Sequence, residues 1–310
     1  MVDILIPKPM LKSVEEALDR DFTVHRLWQA EDQDAYLREI GPKIRGIATF
    51  HGASAKVMEA CPSLEIVSSF GVGYDSVDIA HARGRGIRVC NTPSVLDDAV
   101  AEIAFGLMVA LCRRIPQADR YVRQGRWATE GSHSFTGELT GATVGILGLG
   151  RIGKEFARRA QAFKMRVVYH GRTEQPYQPY VYYADLEAMA RDVDWLVCIA
   201  PGGPATKGII SRKVMEALGP NGCLVNIGRG TSVDEPAMVE MLQSGALGGA
   251  ALDVFAEEPT VPEALYALDN VVLSPHQGSA THKTRWAMGD LVVRNLRAHF
   301  GGEPLISPVV

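Results

Sequence analysis

The sequence lacks the cysteine spacings of a metal or disulfide framework. Its five cysteines, Cys61, Cys90, Cys112, Cys198 and Cys223, are odd in number and contain no CxxC pair. A zinc ribbon, a redox dithiol and a disulfide scaffold are therefore excluded as organising features, and no metal site is expected. Several cysteines sit in apolar runs such as Leu196-Val197-Cys198-Ile199, the setting of buried free thiols in a reducing cytoplasm. No uninterrupted apolar stretch is long enough to cross a bilayer. The opening run Met1-Val2-Asp3-Ile4-Leu5-Ile6 enters a strand at once and lacks the basic, apolar and small-residue zones of a signal peptide. Neither sign of charge dominates. With 32 Lys and Arg against 36 Asp and Glu, the net charge is -4, which leaves no electrostatic footprint for nucleic acid or an anionic membrane. Internal repeats of fixed short period and low-complexity segments are missing too.

What is present is an ordinary globular composition, 46% hydrophobic and 22% charged over 310 residues, a length that favours two domains. Short apolar strands alternate with helical patterns, the signature of α/β architecture with parallel sheets. The first part predicts strands at Val2–Ile6, Gly46–Thr49, Glu65–Ser69 and Ile87–Val89. The second predicts six, at Ala142–Leu147, Met165–His170, Trp195–Ile199, Cys223–Ile227, Gly249–Leu252 and Val271–Leu273. Six strands with intervening helices complete a dinucleotide-binding domain. A helix apolar on nearly all faces is expected over Asp97–Cys112, buried and opened by two acids suited to a helix N-terminus. A last helix over His282–Phe300 ends at Gly301-Gly302-Glu303-Pro304, and the apolar tail Leu305–Val310 is expected to return to the first domain. The expected organisation is thus a Rossmann cofactor domain (97–282) inserted into a smaller, discontinuous flavodoxin-like substrate domain (1–96 and 283–310), both doubly wound.

Gly148-Leu149-Gly150-Arg151-Ile152-Gly153 is a GxGxxG string. Alone such a string is weak, but here it follows a strand and opens a helix, as a dinucleotide fingerprint requires. Gly148 permits a tight turn, Gly150 lets backbone approach a pyrophosphate, and Gly153 lets helix pack on strand. The helix N-terminus offers N–H groups and a positive dipole end. After the next strand stands Gly171-Arg172-Thr173, where an NAD site usually has an acidic residue for the ribose 2′-hydroxyl. Arg172 and Thr173 suit a 2′-phosphate instead, which favours NADP(H), although Arg172 as a solvated surface residue stays open.

Three later segments put polar groups at the ends of predicted parallel strands, where ligand crevices form. They are Val225-Asn226-Ile227-Gly228-Arg229-Gly230, Leu252-Asp253-Val254-Phe255-Ala256-Glu257-Glu258-Pro259 and Leu273-Ser274-Pro275-His276-Gln277-Gly278-Ser279. An Arg binds carboxylates in two places. A His exchanges protons near neutrality, and a carboxylate partner raises its pKa and fixes the ring.

With Phe70-Gly71-Val72-Gly73-Tyr74-Asp75 at its head, this ordered set resembles the D-isomer-specific 2-hydroxyacid dehydrogenase family over nearly the whole chain. Within the family, Gly171-Arg172-Thr173 and Gly228–Glu235 are most similar to the NADPH-linked glyoxylate/hydroxypyruvate reductases and the plant hydroxyphenylpyruvate reductases. The resemblance implies NADPH-dependent reduction of a small 2-keto acid to the D-2-hydroxy acid. It implies His276 as general acid, Glu258 as its partner, and Arg229 as the group that binds the substrate carboxylate and polarises the carbonyl. Backbone N–H groups of Val72 and Gly73 would help hold the carboxylate, and Ile227, Gly228 and Asp253 would border the cofactor. It also implies a homodimer. Trp127 lies in a region that relatives use in dimerisation, with core packing as its alternative. His51 is a candidate to overhang the substrate and His170 to lie near the adenine or 2′-phosphate; the remaining histidines read as surface or packing residues. Two other readings stand beside this one. One is an NAD-linked phosphoglycerate, formate or phosphite dehydrogenase, against which Arg172 argues. The other is a dehydrogenase-like protein that senses nucleotide and binds partners, against which the complete Arg229, Glu258, His276 set argues.

Overall fold

The computed structural model describes residues 1–50 and 52–310. The chain forms two compact units, Met1–Leu96 with Ser279–Val310, and Asp97–Gly278. Each is a parallel sheet with helices returning the chain to the same end for every strand, so both are doubly wound.

The first unit has five parallel strands: β1 (Val2–Ile6), β2 (Phe22–Arg26), β3 (Gly46–Thr49), β4 (Ile66–Ser69) and β5 (Arg88–Cys90), in the order β2-β1-β3-β4-β5. This is the flavodoxin-like order. β3 and β4 are buried at every residue, as near-continuous apolar runs between two helical layers should be. The helix His282–Phe300 covers one face. The Ser68 hydroxyl donates to the carbonyl of Val292 at 3.1 Å, and Gly289 allows the helix Lys12–Asp21 to approach so closely that a Cβ there would lie 2.3 Å from Val14. The tail does return to this unit: the N–H of Val309 donates to the carbonyl of Val89, and the Ser307 hydroxyl to that of Asn91.

The second unit has seven parallel strands, one more than the six expected. They are β6 (Thr143–Leu147), β7 (Arg166–His170), β8 (Val181–Tyr183), β9 (Trp195–Cys198), β10 (Cys223–Asn226), β11 (Gly249–Leu252) and β12 (Val271–Leu273). Their order, β12-β11-β10-β9-β6-β7-β8, is the Rossmann order with a seventh strand added beyond the sixth. The sequence direction reverses between β6 and β9, and ligands bind at the carboxyl ends of strands at such a point. The helix Asp97–Cys112 packs on the helix Arg151–Ala162, with Phe105 and Phe156 ring centroids 5.8 Å apart and Arg159 donating to Asp98 at 2.8 Å. It is less enclosed than its composition predicts: Ile103, Val109 and Ala110 are only partly covered within the described residues.

Candidate active site

The fingerprint leaves the carboxyl end of β6, and its three glycines serve three separable purposes. Gly148 adopts φ 100°, and a Cβ on it would lie 2.9 Å from the backbone N of Ala200 just past β9. Gly153 touches the turn itself, where a Cβ would meet the Gly148 carbonyl at 2.4 Å. Gly150 is different, because a Cβ there would meet nothing within 4 Å. It is an exposed gap at the N-cap of the helix Arg151–Ala162, with no side chain accepting from the first turn. The uncapped N–H groups and the helix dipole are thus left for an anion. Leu149 is buried, so its contribution is backbone; Ile152 is partly buried, and Arg151 is exposed, its Nε 3.3 Å from Asp97.

At the end of β7, Arg172 and Thr173 are exposed and Gly171 half-buried. The turn is braced from three sides. Tyr182 donates its hydroxyl to the Gly171 carbonyl at 3.2 Å, the Gln175 N–H donates to the Tyr169 hydroxyl at 2.7 Å, and the Gln175 side chain donates to the Leu149 carbonyl at 2.6 Å. The last bond ties this turn to the fingerprint. His170, the last residue of β7, has Nδ1 2.8 Å from the Tyr183 carbonyl of β8.

Arg229, Glu258 and His276 follow β10, β11 and β12, three adjacent strands paired in register. Buried Asn226 holds the Arg229 turn: its Nδ2 donates to the Arg229 carbonyl at 2.9 Å and its Oδ1 accepts from the Gly228 N–H at 3.1 Å. Gly228 has to be glycine, since a Cβ would meet the Ala200 carbonyl oxygen at 2.6 Å. Ile227 is buried beside it. Glu258 accepts the Phe255 N–H on Oε1 at 3.1 Å and meets His276 Nδ1 on Oε2 at 2.5 Å. Burial would raise the Glu258 carboxyl, but the hydrogen bonds from His276 and Phe255 and the charges of His276 and Arg229 outweigh it and hold it below the ordinary carboxylate range. Glu235 accepts the Ala256 N–H at 3.0 Å and steadies the segment that carries Glu258. With Nδ1 engaged, His276 keeps Nε2 without a hydrogen-bond partner among the described residues, on a side chain 48% exposed. Asp253, 1% exposed, faces the turn of His276.

In the first unit, the loop after β4 carries Val72 and Gly73. The Gly71 N–H donates to the Thr92 hydroxyl at 3.0 Å, Thr92 returns its own N–H to the Gly71 carbonyl, and Asn91 donates to the Val72 carbonyl at 2.8 Å. The loop is thereby fixed while the N–H groups of Val72 and Gly73 have no acceptor among the described residues. Arg285 lies over the rings of Phe50 and Phe70, at 5.3 and 5.6 Å, and makes no ion pair among the described residues. Sequence reasoning missed Asn226, Glu235 and Gln175 as residues that brace the site turns. His51 lies outside the described residues.

The thiols stand apart from this chemistry. Burial pushes Cys61, Cys90 and Cys198 up to about 11 and Cys223 to about 12, so all four are protonated at neutral pH. No helix among the described residues is long and apolar enough to cross a membrane. Trp127 is 64% exposed, so it does not pack in the core of its own chain.

Comparison with known proteins accords with this geometry. The family model for the D-isomer specific 2-hydroxyacid dehydrogenase, NAD binding domain, matches residues 105–278. Hydroxyphenylpyruvate reductase of Plectranthus scutellarioides is 48% identical across the whole chain and 99% of its own length. Glyoxylate/hydroxypyruvate reductase A of Arabidopsis thaliana is 46% identical with the same coverage. The crystal structure of NADPH-dependent glyoxylate/hydroxypyruvate reductase from Sinorhizobium meliloti, in complex with NADP and malonate, superposes with a TM-score of 0.95 at 45% identity, over 99% of this chain and 96% of that one. With its two parallel sheets, its fingerprint and its Arg, Glu and His on successive strand ends, the chain belongs to the D-isomer specific 2-hydroxyacid dehydrogenase family.

Proposed function

We propose that this protein is an NADPH-dependent reductase that converts a small 2-keto acid, such as glyoxylate or hydroxypyruvate, to the 2-hydroxy acid, of D configuration where a stereocentre forms. The observation that carries the reading is the His276–Glu258 pair. Its 2.5 Å bond consumes Nδ1 and leaves Nε2 as the one ring nitrogen able to face a substrate. The residues present fit a dinucleotide, because Gly150 keeps an open gap over an uncapped helix N-terminus. Gly148–Gly153 would hold the pyrophosphate, Gly171, Arg172 and Thr173 the ribose 2′-phosphate, and Ile227, Gly228 and Asp253 would border the nicotinamide end.

NADPH, when bound, would supply the hydride that the keto carbon needs. The chain does the rest. Arg229 grips the substrate carboxylate and draws electron density toward the carbonyl oxygen. The N–H groups of Val72 and Gly73, which have no acceptor among the described residues, are assigned to the same carboxylate. His276 delivers the Nε2 proton to the oxygen as it gains charge, so carbon receives hydride and oxygen receives proton. Glu258 fixes the ring and stabilises the imidazolium that must form before each transfer.

The exposed apolar residues Ile115, Val122, Trp127 and Phe135 lie along 115–135 and support a homodimer through this segment. Besides the cofactor, a small keto or hydroxy acid is the ligand this chemistry calls for, and five free thiols suit a reducing compartment such as the cytoplasm. The test is a panel of 2-keto acids at fixed NADPH, repeated with NADH. Turnover of glyoxylate or hydroxypyruvate with lower KM for NADPH supports the proposal. A clear NADH preference removes the cofactor assignment, and no turnover of any 2-keto acid removes the reaction.

A further inference from the structure

We infer that Asn91 is a positioning residue for substrate binding: it aims the N–H of Gly73 at the substrate carboxylate, and Ser307 of the C-terminal tail holds it in place. The inference rests on the reading of Val72 and Gly73 as carboxylate donors and adds what orients them.

A backbone N–H is oriented by the carbonyl of the residue before it, because the two share one planar, trans peptide group and point in opposite directions. The Val72 N–H therefore depends on the Gly71 carbonyl, and the Gly73 N–H on the Val72 carbonyl. Both carbonyls are held from behind by the two residues that follow β5. The Thr92 N–H donates to the Gly71 carbonyl at 2.9 Å, and Asn91 Nδ2 donates to the Val72 carbonyl at 2.8 Å. Ser68 and Cys90 are register partners on β4 and β5, so the two strands deliver the loop and its supports side by side. Each bond also polarises its peptide group, which makes the N–H on the far side a stronger donor.

The two supports differ in kind. Thr92 supports its carbonyl with backbone, which follows the course of the chain. Asn91 uses a side chain, so its own backbone has to be secured if the side chain is to hold its aim. The tail does this. The Asn91 N–H donates to the Ser307 carbonyl at 3.3 Å, and the Asn91 carbonyl accepts the Ser307 hydroxyl at 2.7 Å. Ser307 is fixed in turn by buried Asn295 of the helix His282–Phe300. Asn295 Oδ1 accepts the N–H groups of Ile306 at 3.1 Å and Ser307 at 3.2 Å, while Nδ2 donates to the Ser307 hydroxyl at 2.8 Å and to the Leu291 carbonyl at 2.9 Å. All four bonding positions of that amide are used, and a buried polar network so completed holds one arrangement. Fastening the tail to the sheet would not require it, since Pro308 already bridges Cys90 and the Val309 N–H donates to the Val89 carbonyl at 2.7 Å. The polar bonds converge instead on Asn91, whose side chain reaches the carboxylate loop.

The experiment uses the full-length protein and reads KM and kcat on glyoxylate, the Kd for NADPH, and the Val72 and Gly73 amide signals by NMR. The NMR titration adds oxalate, a carboxylate probe without a keto group, to the NADPH-bound protein. In the wild type both amide protons should move downfield as oxalate binds. In Asn91→Ala the Val72 shift should persist and the Gly73 shift should be largely lost. KM for glyoxylate should rise about tenfold, the worth of a hydrogen bond to a charged group. The fall in kcat should stay under about threefold, the split expected when binding common to ground and transition states is removed. NADPH Kd should stay within about twofold, less than one net hydrogen bond. Ser307→Ala acts one step further back and should raise KM about threefold with a weakened Gly73 shift. An unchanged KM in both variants overturns the proposal. So does equal loss of the Val72 and Gly73 shifts, which would mean a loosened loop rather than a lost aim. Should Asn91→Ala not fold, Ser307→Ala decides by the same readouts. Failure of the underlying reading is distinguishable, because it would appear in the wild type itself, as Val72 and Gly73 amides that do not respond to oxalate.

Discussion

Within the second unit, the loop after β6 and the turn after β12 reach opposite solutions to placing a functional group. The fingerprint loop works by omission. Gly148 and Gly153 are small because backbone atoms occupy the space a Cβ would need, and Gly150 is small so that the space stays empty. What the loop offers is main-chain N–H groups, and any side chain would obstruct them. The turn after β12 works by saturation. His276 offers a side chain, and its position is secured by a buried carboxylate from β11 and by Glu258. Recognition of a phosphate needs only dipoles and room, whereas proton transfer needs an atom held within a fraction of an ångström.

The sharpest way to break that contrast is to remove the saturated group. His276→Ala should lower kcat by about 10³-fold, within the range for loss of a positioned general acid. NADPH Kd should be nearly unchanged, because the phosphate-binding loop is built on another strand. Stopped-flow reduction together with fluorescence titration measures both. A parallel loss of NADPH affinity would show that the two sites are not separable.

The converse experiment fills the omitted space. In Gly153→Ala the new methyl meets the Gly148 carbonyl at 2.4 Å, so helix and turn must move apart. The strain should cost about 1–3 kcal/mol of stability, as overpacking does. NADPH Kd should rise at least about tenfold if the shift costs more than 1.4 kcal/mol of binding. Thermal unfolding with and without NADPH separates the two effects: the ligand-induced rise in Tm should shrink along with the apo Tm.

Smaller again is the effect at the braced turn after β7. Arg172→Ala removes the charge opposite a 2′-phosphate and should narrow the NADPH preference by about tenfold, the value of one charge-assisted contact. The Tyr182 and Gln175 bonds are untouched, so NADH turnover should hold steady. An unchanged KM ratio would make Arg172 a surface residue and move 2′-phosphate recognition elsewhere.

The same contrast decides what the sequence revealed. Omission is legible: three glycines at fixed spacing after an apolar strand mark the loop without any tertiary knowledge. Buried strands are legible for a similar reason, since β9 reads as the continuous apolar run Trp-Leu-Val-Cys and β3 and β4 carry short apolar runs broken only by small Gly, Thr or Ser residues. The two missed strands are both edges. β2 is buried only at Phe22 and alternates over just four residues, Phe-Thr-Val-His, and β8 is three residues with none buried, so each signal is too short to mark a strand. Arg229, Glu258 and His276 were found through resemblance, because strand-end polar residues alone are permissive. The long-range bonds that hold these turns were not found at all. Asp253 acts on residues 21 to 25 positions ahead, a relation that exists only once β11 and β12 lie in register.

The least perturbing test titrates the saturated site without moving it. The folded protein holds the Glu258 carboxyl below its ordinary value because hydrogen bonds from His276 and Phe255 outweigh burial. A depressed carboxyl contributes stability above its unfolded value, near about 4.3, and loses that contribution as pH falls through the folded value. Glu258→Gln keeps the shape and removes the titration. The Tm advantage of wild type over this variant should therefore narrow as pH falls below about 4, where the unfolded carboxyl becomes protonated. The group is partly exposed, so the gap should be small and further reduced by salt. A gap that widens as pH falls from about 5 to below about 4 would mean that burial dominates after all, and that Glu258 spends its time neutral rather than as the charged partner of His276.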